Sequence, residues 1–331
     1  MYKDKKIIMI HGLASKPPME DTHRLWTKAL IENIREENKE VAEKMERSEE
    51  IFSSAYWANA IPSHVEDDAS YVIALEKQVD EVIKERQELK EDFHVGVSEK
   101  IGDFFKDRGL DMVNILTGAL SIKDSLMKTF LRETELYSMD QYVADKIRKP
   151  LEDEIRKAWN DNKEVVILSH SMGTFIAYDV LWRFSHRSDE HYRKYKGKKI
   201  KMLVTMGSPL GNNAIKNILF AKYHKSIEER QYPTNIDYWH NYSCLGDVVA
   251  HDAELSDDFF EEMQRLKLIK NNVGNTEKYT IDYTDMHNPF KVVSHAGNKD
   301  KSKSNPHKSY GYLVQPRLGS WLVDFMEGNL K

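Results

Sequence analysis

Val165-Val-Ile-Leu-Ser169-His170-Ser171-Met172-Gly173-Thr-Phe-Ile-Ala-Tyr178 is the stretch that decides how this chain is read. Its four leading apolar residues suit a strand buried on both faces of a parallel sheet. From Met172 to Phe184, Phe175, Ile176, Val180 and Leu181 recur at helical spacing. Between strand and helix, small-x-Ser-x-Gly forms a tight turn that presents a serine hydroxyl above the sheet edge. Small residues two before and two after the serine let the chain pass without clashes. The helix that follows adds its N-terminal dipole and free N–H groups. Ser171 is therefore the candidate nucleophile.

On either side of this stretch, strand and helix patterns alternate. Ile7–Ile10 reads as a buried strand closed by His11-Gly12, and the spacing predicts a helix from Arg24 to about Met45. Ile51–Ala58 reads as a second strand, and Tyr71–Glu91 as a long, highly charged helix. Val95–Leu136 is rich in apolar residues in short pieces broken by Gly109 and Gly118. Ser138 is an expected N-cap for a helix running to about Asn160 despite Pro150. Strands are expected at Ile200–Met206, Tyr238–Cys244 and Tyr279–Tyr283, and a closing helix at Tyr310–Met326. The alternation implies an α/β fold, with a mostly parallel sheet and helices on both faces.

The chain has 331 residues with 49 Lys and Arg against 54 Asp and Glu, a net charge of −5. At about 150 residues per domain this length suggests two units. Hydrophobic residues are 40% and charged residues 31%, with 15 Gly and 9 Pro, which excludes a fibrous or low-complexity chain. A mildly acidic balance speaks against a nucleic-acid partner. The single cysteine, Cys244, excludes an intrachain disulfide. No run of about 18 apolar residues is present, and the start lacks a signal-peptide core. A cytoplasmic protein without a membrane span is expected. No His-x-x-x-His, paired-cysteine or phosphate-loop pattern occurs, so neither metal nor cofactor is expected.

With its strand, elbow and helix, the chain resembles the α/β-hydrolase superfamily, and within it the serine esterases and lipases. Ser169 stands where the family's first elbow glycine is usual. The resemblance covers Lys5–Ala58 and about Tyr137–Met326. It implies a hydrolase core over 1–60 and 137–331, with 61–136 inserted as a helical cap. In this family, a His-Gly turn after the first strand leads to the oxyanion hole. His11-Gly12-Leu13 matches it, which implies backbone donors at Leu13 and Met172 and places His11 and Gly12 beside the substrate. The family order is nucleophile, acid, base. Asp247, after Gly246 at a strand end, is the expected acid, with Asp252, Asp257 and Asp258 as neighbouring competitors. His307, in the loop before the last helix, ranks as the base ahead of His295 and His287.

The implied activity is hydrolysis of a carboxylic ester, small-molecule or lipid, through an acyl-enzyme. Thioesterase or amidase chemistry with the same triad stays open, as does a lipid-binding module without turnover. So does an interaction protein recruiting a partner through Tyr71–Glu91. Phe104, Phe105, Leu116 and Leu120 are candidates for an acyl-chain wall, because the segment after Pro209 is short and polar.

Overall fold

The computed structural model describes residues 2–13, 16–48, 50–61, 68–88, 133–222, 230–250, 254–268, 282–293 and 304–330. Phe104, Phe105, Leu116, Leu120 and His295 lie outside them. Among the described residues, six parallel strands form one sheet: β1 (Lys5–Ile10), β2 (Phe52–Ser54), β3 (Glu164–His170), β4 (Ile200–Met206), β5 (Ile236–Cys244) and β6 (Asp282–Met286). Their spatial order is β2-β1-β3-β4-β5-β6. Among the described residues, no helix is long and apolar enough to cross a membrane.

Strand side chains alternate between two faces, and each face has its own core. Ile7, Met9, Val166, Leu168, Met202 and Val204 pack on α1 (Met19–Glu37), α2 (Lys39–Glu46) and α3 (Ala69–Gln87). Ile8, Ile10, Val165, Ile167 and Leu203 pack on α4 (Gln141–Asn160) and α5 (Met172–His186). Because both faces are covered, β1 and β3 carry continuous apolar runs, Ile7–Ile10 and Val165–Leu168.

Several boundaries differ from the sequence expectation. The helix expected over Arg24–Met45 is two, because Asn38 is extended (φ −152°) and caps α2 by accepting from the Val41 N–H at 3.2 Å. Asn is a strong N-cap, and here that preference overrides the continuing periodicity. The strand expected over Ile51–Ala58 stops at Ser54. The Ala55 N–H still bonds the Met9 carbonyl at 2.8 Å, but the Trp57 N–H turns to the His11 ring. Asp140, not Ser138, caps α4, and the Ser138 hydroxyl instead donates to the Thr134 carbonyl. Strand β6 runs to Met286, three residues past the expected end. The closing helix is broken into α6 (Ser309–Leu313) and α7 (Pro316–Glu327). Gln315 precedes Pro316 and is held extended, as the proline ring requires.

α3, in the segment expected as an inserted cap, packs beside α1 in a helix layer on one face of the sheet. Tyr71, Leu75, Val79, Val82 and Ile83 share the core that contains Ile7 and Met9. Their i, i+4 spacing is hidden among charges that pair across to α1, Arg24 with Glu76 and Lys28 with Asp80. On the other face, Arg148 of α4 is buried beside the Asp179 carboxylate of α5 at 3.0 Å, with the Tyr137 hydroxyl on the same oxygen.

Candidate active site

Parallel α/β sheets gather functional groups at the carboxyl ends of their strands. Here the ends of β1, β3, β4 and β5 lie side by side, with Ile10 opposite Ser169, Ser169 opposite Thr205, and Met206 opposite Tyr242. Ser171 follows β3, Asp247 follows β5 and His307 follows β6.

Ser171 has φ 55° and ψ −127°. A non-glycine residue in this region costs about 1–3 kcal/mol, so surrounding contacts must enforce it. Those contacts are present. The Ser171 N–H donates to the Met206 carbonyl at 2.9 Å, and the Ser171 carbonyl accepts from the Thr174 hydroxyl at 2.7 Å. Thr174 Oγ1 lies 2.9 Å from Ser208 Oγ, so the Gly207-Ser208 loop buttresses the elbow. Ser169, in the usual glycine position, is accommodated because its hydroxyl donates to the Val204 carbonyl at 2.7 Å.

Close packing explains the glycines. A Cβ on Gly173 would fall 2.7 Å from the carbonyl oxygens of both Ile10 and His11. Gly207 has φ 55°, and a Cβ there would fall 2.7 Å from Asp247 Oδ2 and 3.1 Å from His307 Nδ1.

Ser171, His307 and Asp247 form one hydrogen-bonded chain. The Ser171 hydroxyl donates to His307 Nε2 at 2.9 Å. His307 Nδ1–H faces both Asp247 oxygens at 2.9 Å. A carboxylate can only accept, so its partnership assigns the proton to Nδ1 and leaves Nε2 as the acceptor. Asp247 is buried, and it also receives the Val249 N–H at 3.0 Å and the Tyr312 hydroxyl at 2.6 Å. Burial and the adjacent Asp247 charge push the Tyr312 phenol far up, so it stays a donor.

Of the competing acids, Asp252 lies outside the described residues, while Asp257 and Asp258 sit in the helical turn over Ser256–Phe260. Asp258 pairs there with Lys216. The backbone carbonyl of His287 accepts from the Gln315 side chain at 3.1 Å.

The His11 ring holds the loop after β1. Its Nδ1–H donates to the Gly12 carbonyl at 2.8 Å, and its Nε2 accepts the Trp57 N–H at 3.1 Å. It also stacks on Trp57, with centroids 5.0 Å apart. Gly12 lies directly against Ser171. Leu13 and Met172 are buried, with Met172 opening α5 and Leu13 accepting from the Lys16 ammonium. Burial and the like charge of Lys308 pull Lys16 down to about 7, opposed by Glu133.

Three residues that contact the triad or its loop carry no mark in the sequence: Tyr312, His170 and Asn288. Tyr312 reads as one more apolar position of a helix. His170 occupies the freely variable place of the elbow, yet its ring lies 4.7 Å from that of His307. Burial, then the neighbouring His307 and Lys16 charges, hold His170 well below the usual histidine range. Asn288 is separated from His307 by 18 residues of sequence. No family model matches this chain, and neither does any curated protein or solved structure.

Proposed function

We propose that the protein is a serine hydrolase of the α/β-hydrolase type that cleaves carboxylic esters. The observation that carries this reading is the continuous chain from the Ser171 hydroxyl through His307 to the buried Asp247 carboxylate, with the serine on a strained turn. The strand order, with nucleophile, acid and base after the third, fifth and sixth strands in sequence, supports the same reading.

His307 Nε2 takes the Ser171 proton as Oγ attacks the ester carbonyl. Asp247 stabilises the imidazolium and keeps the proton on Nδ1. The N–H groups of Leu13 and Met172 receive the developing oxyanion, an interaction whose loss costs on the order of 100-fold or more in rate. The C–O bond breaks, and the alcohol leaves with the proton from His307. Water then gives a proton to His307 and attacks the acyl-enzyme, and Ser171 recovers its proton as the acid departs.

The test is a fluorophosphonate probe read by intact mass, together with hydrolysis of a nitrophenyl ester. One adduct per chain, lost with activity in Ser171→Ala, is expected. An unlabelled, inactive wild-type protein would overturn the proposal. Faster turnover of a matched thioester or amide would move the assignment to that bond.

A further inference from the structure

His307 sits on a loop, and a base must be held to within about 0.5 Å and 10–20° to act on a serine proton. Loops ordinarily lack the ladder of main-chain bonds that would do this. Here three successive carbonyls are gripped by two buried side chains. The Asn288 amide donates to the Pro306 carbonyl at 2.8 Å and to the Lys308 carbonyl at 2.8 Å. His170 Nε2–H donates to the carbonyl between them, that of His307, at 2.7 Å. Asn288 is 1% exposed and His170 6%.

We propose that His170 and Asn288 are positioning residues that form a clamp orienting the catalytic base through the carbonyls of Pro306, His307 and Lys308. The proposal rests on the triad reading of the site. The Pro306 and His307 carbonyls belong to the two planar peptide units flanking the His307 Cα. Fixing both planes fixes φ and ψ of His307, and so the direction in which its Cβ carries the ring. His170 immediately precedes Ser171, so the same bond ties the nucleophile's backbone to that of the base.

The clamp is itself built in. Asn288 Oδ1 accepts the Phe290 N–H at 3.0 Å, which orients the amide so that its NH2 faces the loop. A Cβ on Gly311 would fall 1.7 Å from that oxygen, so the glycine makes room for Asn288. A carbonyl only accepts, so His170 carries its proton on Nε2. Among the described residues its buried Nδ1 has no hydrogen-bond partner, in keeping with a neutral ring.

The experiment compares His170→Gln, whose amide reaches the place of Nε2, with His170→Phe and His170→Asn, which cannot donate there. Asn288→Asp removes the other donor. With nitrophenyl butyrate, Phe, Asn and Asp variants are expected to lose about 100-fold in kcat with KM unmoved, as for a misplaced catalytic group. His170→Gln recovers most of that rate, which a generic packing defect would not allow. Proton NMR reads the clamp without turnover: the downfield Nδ1 proton shared by His307 and Asp247 shifts or broadens in those variants and returns in His170→Gln. An unchanged kcat and an unchanged resonance in the folded variants overturn the clamp. If His170→Phe does not fold, His170→Asn and Asn288→Asp decide by the same rule. A wild-type protein that neither hydrolyses the ester nor takes the probe removes the hydrolase reading, and the resonance still judges the clamp.

Discussion

Gly12 lies so close to Ser171 that a Cβ on the glycine would fall 2.4 Å from the serine Cβ. The same atom would meet the His170 carbonyl oxygen at 3.0 Å, so neither side of the elbow can give way cheaply. Gly12→Ala is expected to destabilise the fold by about 1–3 kcal/mol, the usual cost of overpacking. By moving Oγ off His307 it should also slow fluorophosphonate labelling by about 100-fold. Labelling at the wild-type rate would show that the loop can retreat.

Tyr312→Phe deletes one hydroxyl that both donates to Asp247 Oδ2 and accepts the Cys244 N–H at 3.1 Å. Hydrogen bonds to charged groups contribute about 1.5–3 kcal/mol, so a loss of that size in urea unfolding is expected. The rate should fall modestly. Asp247→Asn should fall far further, on the order of 10⁴-fold, because the amide favours the wrong imidazole tautomer. An active Asp247→Asn variant would reassign the acid.

Asp179 holds Arg148 and Arg183 through its two carboxylate oxygens, at 3.0 and 3.3 Å. Asp179→Asn leaves the buried Arg148 guanidinium without its buried counter-charge. Breaking such a pair costs about 3–5 kcal/mol. Thermal unfolding of the variant within a degree of wild type would contradict this.

His240 is buried against Trp321, with ring centroids 4.4 Å apart, and desolvation lowers it to about 3. The unfolded chain, with an ordinary histidine near 6.5, binds a proton that the folded chain refuses. Stability therefore falls as pH drops below about 6.5, by about 1.4 kcal/mol per pH unit, until the folded histidine titrates. His240→Phe keeps an aromatic ring and removes this penalty. Between pH 7 and pH 5, the wild type should lose about 2 kcal/mol more than the variant in urea titrations. Equal losses would mean that the folded chain takes up the His240 proton as readily as the unfolded one.

The strand–elbow–helix was legible because each part has a local cause. An apolar run makes a buried strand, small residues permit the sharp turn, and helical periodicity resumes at once. Asp247 and His307, implied by the family resemblance through their order along the chain, stand hydrogen-bonded to each other, with His307 on the Ser171 hydroxyl. The edge of β2 was not, because the Trp57 N–H is diverted by a ring 46 residues away in sequence. Nor was the place of α3, whose apolar stripe is diluted by charges that only pair once α1 is beside it.

The sequence by itself determined the layered α/β arrangement and the candidate nucleophile, because hydrophobic period and turn sterics act over a few neighbouring residues. Only the tertiary structure decided that Tyr312 braces Asp247, that Asn288 and His170 grip the His307 loop, and that Gly12, Gly207 and Gly311 must lack side chains. Those are contacts between segments far apart in sequence, where distance and direction matter more than residue type. A hydrogen bond or a steric clash is settled within a few tenths of an ångström, and only the packed sheet with its converging strand ends sets distances to that tolerance.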